Sequence, residues 1–114
     1  MDQADHFATT PHDVRRSPRF PFFADARITE AETRSNMTAR TSELCRHGCY
    51  MDMMNPFLLG TPLRIRIVHH GQSLDAAVRV VHSQPNIGMG ICFDEMDRAH
   101  AGILEGWLSE LQAA

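Results

Sequence analysis

Three segments in the second half of the chain alternate apolar with polar or small residues, and this constrains the fold more than any other feature. Leu63, Ile65 and Ile67 are interleaved with Arg64 and Arg66. Leu74, Ala76, Val78 and Val80 are interleaved with Asp75, Ala77 and Arg79. Ile87, Met89, Ile91 and Phe93 are opposed by Gly88, Gly90 and Cys92. A period of two sends each set to its own face of an extended chain, so each segment predicts a strand with one buried face. His70-Gly71-Gln72 between the first two suits a hairpin turn. Two glycines on one face of the third imply a sharp bend or the close approach of another backbone.

The flanking segments extend this pattern. Phe20 to Glu30 reads as a strand with Pro21 near its start, where a missing donor is tolerated. Thr38 to Leu44 reads as a second strand, with a turn at Cys45-Arg46-His47-Gly48, and Cys49 to Met53 as a third. Asn55-Pro56 and Gly60-Thr61-Pro62 break the chain around the short apolar loop Phe57-Leu58-Leu59. After Phe93 the period changes. Ile103, Leu104, Trp107, Leu108 and Leu111 recur at helical spacing, with Glu95 and Asp97 expected in the first turn, where the helix dipole favours acids. Gly102 and Gly106 each weaken that helix by about 1 kcal/mol relative to Ala, so packing must hold it. The expectation is an all-β domain with a C-terminal helix: a small antiparallel barrel or sheet of about six strands. The 114 residues fit one domain able to bury a core without staples. Residues 1–14 read as a flexible N-terminal tail and 15–114 as the domain.

Charge excludes several classes of function. All 11 basic residues are Arg, and with 14 acidic residues the formal net charge is −3. Binders of nucleic acid polymers carry a basic surplus, and none is present. The longest stretch without a charged residue, Val80 to Phe93, is too short to span a bilayer and is interrupted by Ser83, Gln84, Pro85 and Asn86. The N-terminus has neither the apolar core nor the basic flank of a secretory signal. Three Cys, an odd number, argue against a disulfide framework and for a reduced, cytoplasmic setting.

The strongest local signal is Arg15, Arg16 and Arg19, three guanidiniums within five residues just before a strand. Guanidinium presents a planar fork of donors that matches phosphate oxygens and the O6/N7 edge of guanine, which ammonium cannot do. Arg64, Arg66, Arg79 and Arg98 instead read as outward-facing residues whose choice over Lys reflects codon usage. Cys45, His47 and Cys49 lack the further ligand and the tighter Cys pair that zinc prefers, and read as buried or strand-end thiols. His69-His70 and His82 fall near strand ends, and spacing assigns them no nucleophile or carboxylate partner. No triad or phosphate loop is visible, so neither catalysis nor a metal is expected. Met51, Met53 and Met54 with Phe57, Leu58 and Leu59 read as core filling or as an adaptable partner surface.

Arg15-x-x-x-Arg19, with Arg16 inside it, resembles the Arg-x-x-x-Arg signature that opens PilZ domains, bacterial receptors for cyclic di-GMP. Their second signature, Asp or Asn-x-Ser-x-x-Gly, is similar to Glu43-Leu44-Cys45-Arg46-His47-Gly48, with Glu43 for Asp/Asn and Cys45 for Ser. Gly88-Met89-Gly90-Ile91-Cys92-Phe93 resembles the strand that closes these barrels. The resemblance implies a six-stranded antiparallel β-barrel with a C-terminal helix and a cyclic di-GMP ligand, with no other cofactor. Arg15 and Arg19 would clamp guanine edges and phosphates, and Arg16 would add a contact. Glu43 would accept from guanine N1–H and N2, Cys45 would stand for the hydroxyl donor, and Gly48 would let the backbone approach closely. A thiol is a weak donor, and one lost neutral hydrogen bond costs about 0.5–1.5 kcal/mol. The implied function is a sensor or adaptor whose Arg segment orders on binding and changes the surface shown to a protein partner. The alternative is a degenerate PilZ module that acts through protein–protein contacts without the nucleotide.

Overall fold

The computed structural model describes residues 17–114. Seven strands and a helix follow in chain order: β1 (Phe20–Pro21), β2 (Asp25–Glu30), β3 (Asn36–Cys45), β4 (Gly48–Asp52), β5 (Pro62–His69), β6 (Gln72–Gln84), β7 (Gly88–Glu95) and α1 (Arg98–Ala113). Every strand pairing is antiparallel, and the hydrogen-bonded order is β1-β3-β2-β5-β6-β7-β4. Because β4 also pairs with β3, the sheet closes into a six-stranded barrel, with β1 added beside the end of β3. Closure leaves no long unpaired edge, the usual hazard of an all-β chain.

The period-two segments bury the faces expected of them. Ile65 and Ile67, Leu74, Val78 and Val80, and Met89 and Ile91 all point into the barrel, where Ile28, Leu44 and Met51 meet them. Phe93 is only partly buried, and Ile87 precedes β7 and is exposed, so the inward set of the last strand is shorter than its sequence pattern. The β5–β6 turn consists of His70 and Gly71, with φ of 51° and 76°. Two positive φ values make the primed turn whose twist suits a hairpin. Gly88 pairs with Asp52 on β4, and a Cβ there would lie 2.2 Å from the Met51 carbonyl oxygen. Here the glycine signal does mark a close approach of backbones.

Phe20 to Glu30 is not one strand. β1 and β2 pair with the same edge of β3 but are separated by Phe22–Ala24, and Thr41 fills the break. Its fully buried hydroxyl donates to the Phe22 carbonyl at 2.7 Å and accepts from the Ala24 amide at 3.0 Å. Two backbone groups that the ladder cannot reach are satisfied this way.

The helix α1 lies across the barrel end that carries the β3–β4 and β5–β6 turns. Leu104, Trp107 and Leu108 are buried against the core, and the Trp107 indole donates to Gln72 Oε1 at 3.1 Å. The Arg46 guanidinium in the β3–β4 turn pairs with Glu105. Asp97 is the N-cap and not a first-turn residue; its carboxylate accepts from the His100 amide at 2.9 Å, and Glu95 ends β7. An oxygen at the cap satisfies an amide that the first turn leaves free, and that bond holds the Asp97 carboxyl below its usual range.

Candidate functional site

The residues of the second motif occupy the end of β3 and the start of β4. Leu44 points into the barrel, so Glu43 and Cys45 project from the outer face. β1 joins β3 there, pairing Phe20 with Leu44 and Pro21 with Glu43. This register brings Arg19 alongside, with its guanidinium 3.5 Å from the Glu43 carboxylate and both side chains about one-third exposed (32% and 40%). Arg15 and Arg16 lie outside the described residues, as does the boundary placed at residue 14.

Cys45 is nearly covered, at 4% exposure. Burial pushes its thiol above the usual value, opposed by the His47 and Gly48 amides that donate toward the sulfur and by the charge of Arg19. The sulfur therefore fastens the two-residue turn at the place where a hydroxyl would do so more strongly. Gly48 sits opposite Cys45 on one side and Cys92 on the other, without a positive φ. Cys49, next in sequence, faces inward and is fully buried, which drives its thiol strongly upward. Cys45 ends β3 on the outer face, whereas Cys49 lies on β4 opposite Leu44 and faces inward, so the two thiols point to opposite faces of the sheet.

Two further residues complete this face. Tyr50, two positions beyond Gly48, emerges on the same side and pairs with Gly90 on β7; Gly90 pairs in turn with His82 on β6. With no side chain between them, the Tyr50 and His82 rings approach to 6.1 Å at 43°. Desolvation, then the charges of Asp52 and Glu43, raise the Tyr50 phenol above its usual value, so it stays a donor at neutral pH. The period of two places Tyr50 beside Gly48, a signal the motif reading passed over. His82 reaches the face through a register shift after Val80, which no periodicity announces. The surface so built carries a guanidinium, a carboxylate, a phenol, an imidazole and two glycines, suited to a flat polar ligand with an anionic part. A separate groove of about 490 Å³ lies across β2, β5 and β6, lined by Arg27, Arg64, Arg66 and Asp75 among others, away from Arg19.

A closed six-stranded antiparallel barrel with a C-terminal helix across one end, and Arg19 held against the outer face of β3, defines a distinct class of small β domain. The chain belongs to the PilZ domain family, whose pattern matches residues 13–110. Solved structures share the fold. The PilZ domain of CeSA from a cellulose-synthesizing bacterium is 22% identical with a TM-score of 0.66, over 82% of this chain and 97% of that one. The Bacillus subtilis inhibitor of motility MotI/DgrA is 14% identical with a TM-score of 0.68, over 87% of this chain. MrkH, described as a cyclic di-GMP-dependent transcription regulatory factor, is 12% identical with a TM-score of 0.64, also over 87% of this chain. This chain spans about half the length of the last two, 51% of each. Among curated protein sequences, none matches the chain. Among the described residues, no helix is long and apolar enough to cross a membrane.

Proposed function

We propose that the chain is a cyclic di-GMP-binding PilZ adaptor, in which Arg19 with Arg15 and Arg16 clamps the nucleotide over Glu43, Cys45 and Gly48. The observation that carries this reading is the Arg19–Glu43 pair, set on the outer face beside Gly48 and the Tyr50–His82 rings. A partly exposed ion pair of this kind contributes roughly 0.2–1 kcal/mol. Exchanging it for charge-assisted bonds to phosphate and guanine is therefore a small loss against a larger gain. Ordering of the Arg15–Arg19 segment over the ligand changes the surface offered to a protein partner. Binding and release, not catalysis, are the activity, and the setting is cytoplasmic.

Calorimetric titration with cyclic di-GMP tests the reading. Saturable heat is expected; Arg15→Ala and Arg19→Ala each remove most of it, and Arg98→Ala does not. Folded protein that gives no heat at high micromolar ligand refutes the sensor. That result would leave the adaptor without a nucleotide, which one observation favours. Met51 lies in the core, and Met53 and Phe57 are half-buried, whereas Met54, Leu58, Leu59 and Ile87 are exposed. Backbone bonds join the loop carrying three of these residues to the β6–β7 turn, from the Asn86 amide to the Met54 carbonyl at 2.7 Å. Apolar side chains gathered in this way suit a protein contact.

A further inference from the structure

At the barrel end capped by α1, opposite the Arg46–Glu105 pair along the helix, three metal-ligating side chains converge. One nitrogen each of His69 and His70 and a carboxylate oxygen of Glu110 all lie within 4.8 Å of one another. His69 ends β5, His70 is the first residue of the β5–β6 turn and the glutamate is in the last turns of α1, so the cluster spans two elements otherwise joined there by apolar packing and the Trp107–Gln72 bond.

Consecutive residues of a strand point to opposite faces, and two neighbouring histidines should not share a side. Here they do, because His70 has φ of 51°. The left-handed backbone swings its ring onto His69, with centroids 3.8 Å apart and planes at 21°. Asn, Asp or Gly is the usual occupant of this turn position, and His is among the few other residues found in the left-handed region. His69 packs against Phe22 at 4.6 Å and makes a T-shaped contact with Trp107 at 5.3 Å. His70 and Glu110 are exposed and can adjust.

We propose that His69, His70 and Glu110 bind one divalent transition-metal ion, tying the β5–β6 hairpin to the C-terminal helix. Two borderline imidazole nitrogens with one carboxylate oxygen form a donor set that suits zinc and its neighbours, whereas magnesium and calcium take all-oxygen sets. Zinc bonds of about 2.0–2.2 Å set tetrahedral ligand atoms roughly 3.3 Å apart, so the three donors close on the ion by rotation of the two exposed side chains. Water fills the fourth position. The hairpin tip and the last turns of α1 then move as one body.

The test uses the untagged full chain, stripped with chelator and titrated with Zn²⁺ by calorimetry and with Co²⁺ by visible absorption. One equivalent is expected to bind, with the intense bands of a low-coordinate cobalt site, and Zn²⁺ is expected to raise Tm. His70→Gly and Glu110→Gln should each weaken binding at least tenfold. Glycine suits the left-handed turn, so the metal-free Tm of His70→Gly should equal or exceed that of the parent, which separates lost ligation from lost folding. His82→Ala and the double variant His6→Ala/His12→Ala should bind as the parent does. No saturable binding up to millimolar Zn²⁺ overturns the proposal. So does binding that survives both His70→Gly and Glu110→Gln, or binding that disappears with His6 and His12.

Discussion

Replacing Thr41 by Val tests how this barrel turns its first strand toward the site. The exchange keeps shape and volume and removes one hydroxyl. That hydroxyl is fully buried and serves two backbone groups, the Phe22 carbonyl at 2.7 Å and the Ala24 amide at 3.0 Å. Each buried group left without a partner costs about 1–3 kcal/mol. The pair together should cost about 2–4 kcal/mol, allowing for partial relaxation of the break between β1 and β2. Thr41→Ser keeps the hydroxyl and loses one methyl, about 1 kcal/mol. Urea unfolding of the three proteins should rank them parent, Ser, Val. The Val variant should also melt on the order of 10 °C lower, since each kcal/mol moves a domain of this size by about 4–8 °C. If Val is as stable as Ser or more so, packing and not hydrogen bonding holds the break, and the reasoning fails. The position matters for function because the same break sets Phe20 opposite Leu44 and so delivers Arg19 to Glu43.

Gly88→Ala should lower stability by about 3 kcal/mol, the upper end of overpacking costs, because its Cβ would meet the Met51 carbonyl backbone. Gly102→Ala, with open space around it on α1, should raise stability by about 1 kcal/mol in the same urea assay. Asp75 is held below its usual 3.8, first by its hydrogen bond from Arg66. A depressed carboxyl contributes stability above its unfolded value and loses it as pH falls through the folded value. The gap between parent and Asp75→Asn in urea midpoint should therefore stay constant from pH 7 to about 5 and close below about 4. On the proposed ligand reading, Glu43→Asp with Cys45→Ser should tighten cyclic di-GMP about three- to tenfold, since a hydroxyl replaces a weak donor. Unchanged affinity in calorimetry would count against assigning those two positions to the ligand.

The strands that the sequence announces are those with one buried face and a turn at each end. β5 and β6 show this: Ile65, Ile67, Leu74 and Ala76 alternate inward around His70-Gly71, and pattern and turn agree. The break in the first strand was not readable, because Phe22, Ala24, Ala26 and Ile28 keep a period of two through it; only Thr41, far along the chain, reveals that two backbone groups need a partner. The end of β6 was hidden for a related reason, a register shift that leaves Val80 and Val81 both buried and carries His82 outward. In the candidate site, residues linked by short spacing within β3 and β4 could be placed from sequence, and those brought by other strands could not. His69 and His70 have no carboxylate within reach along the chain because Glu110 arrives from the helix.

The choice of arginine has a wider reason than either ligand binding or codon usage. Arg66 does not merely point outward. Its Nε and Nη2 donate to the two Asp75 carboxylate oxygens at 2.7 and 3.0 Å, a fork-to-fork pair across β5 and β6 that an ammonium cannot form. Arg79 reaches Asp94 at 3.3 Å across β6 and β7, and Arg46 reaches Glu105 across the barrel end. In each case the cation is matched to an acid on a different element. Arg19 follows the same rule, because Glu43 belongs to the strand that β1 joins. The net negative charge is thus compatible with an anion receptor. Arg46, Arg66 and Arg79 are already engaged by carboxylates of other elements, whereas the sequence gathers Arg15, Arg16 and Arg19 just before β1, so on the proposed reading a local cluster and not a basic surface draws the anion.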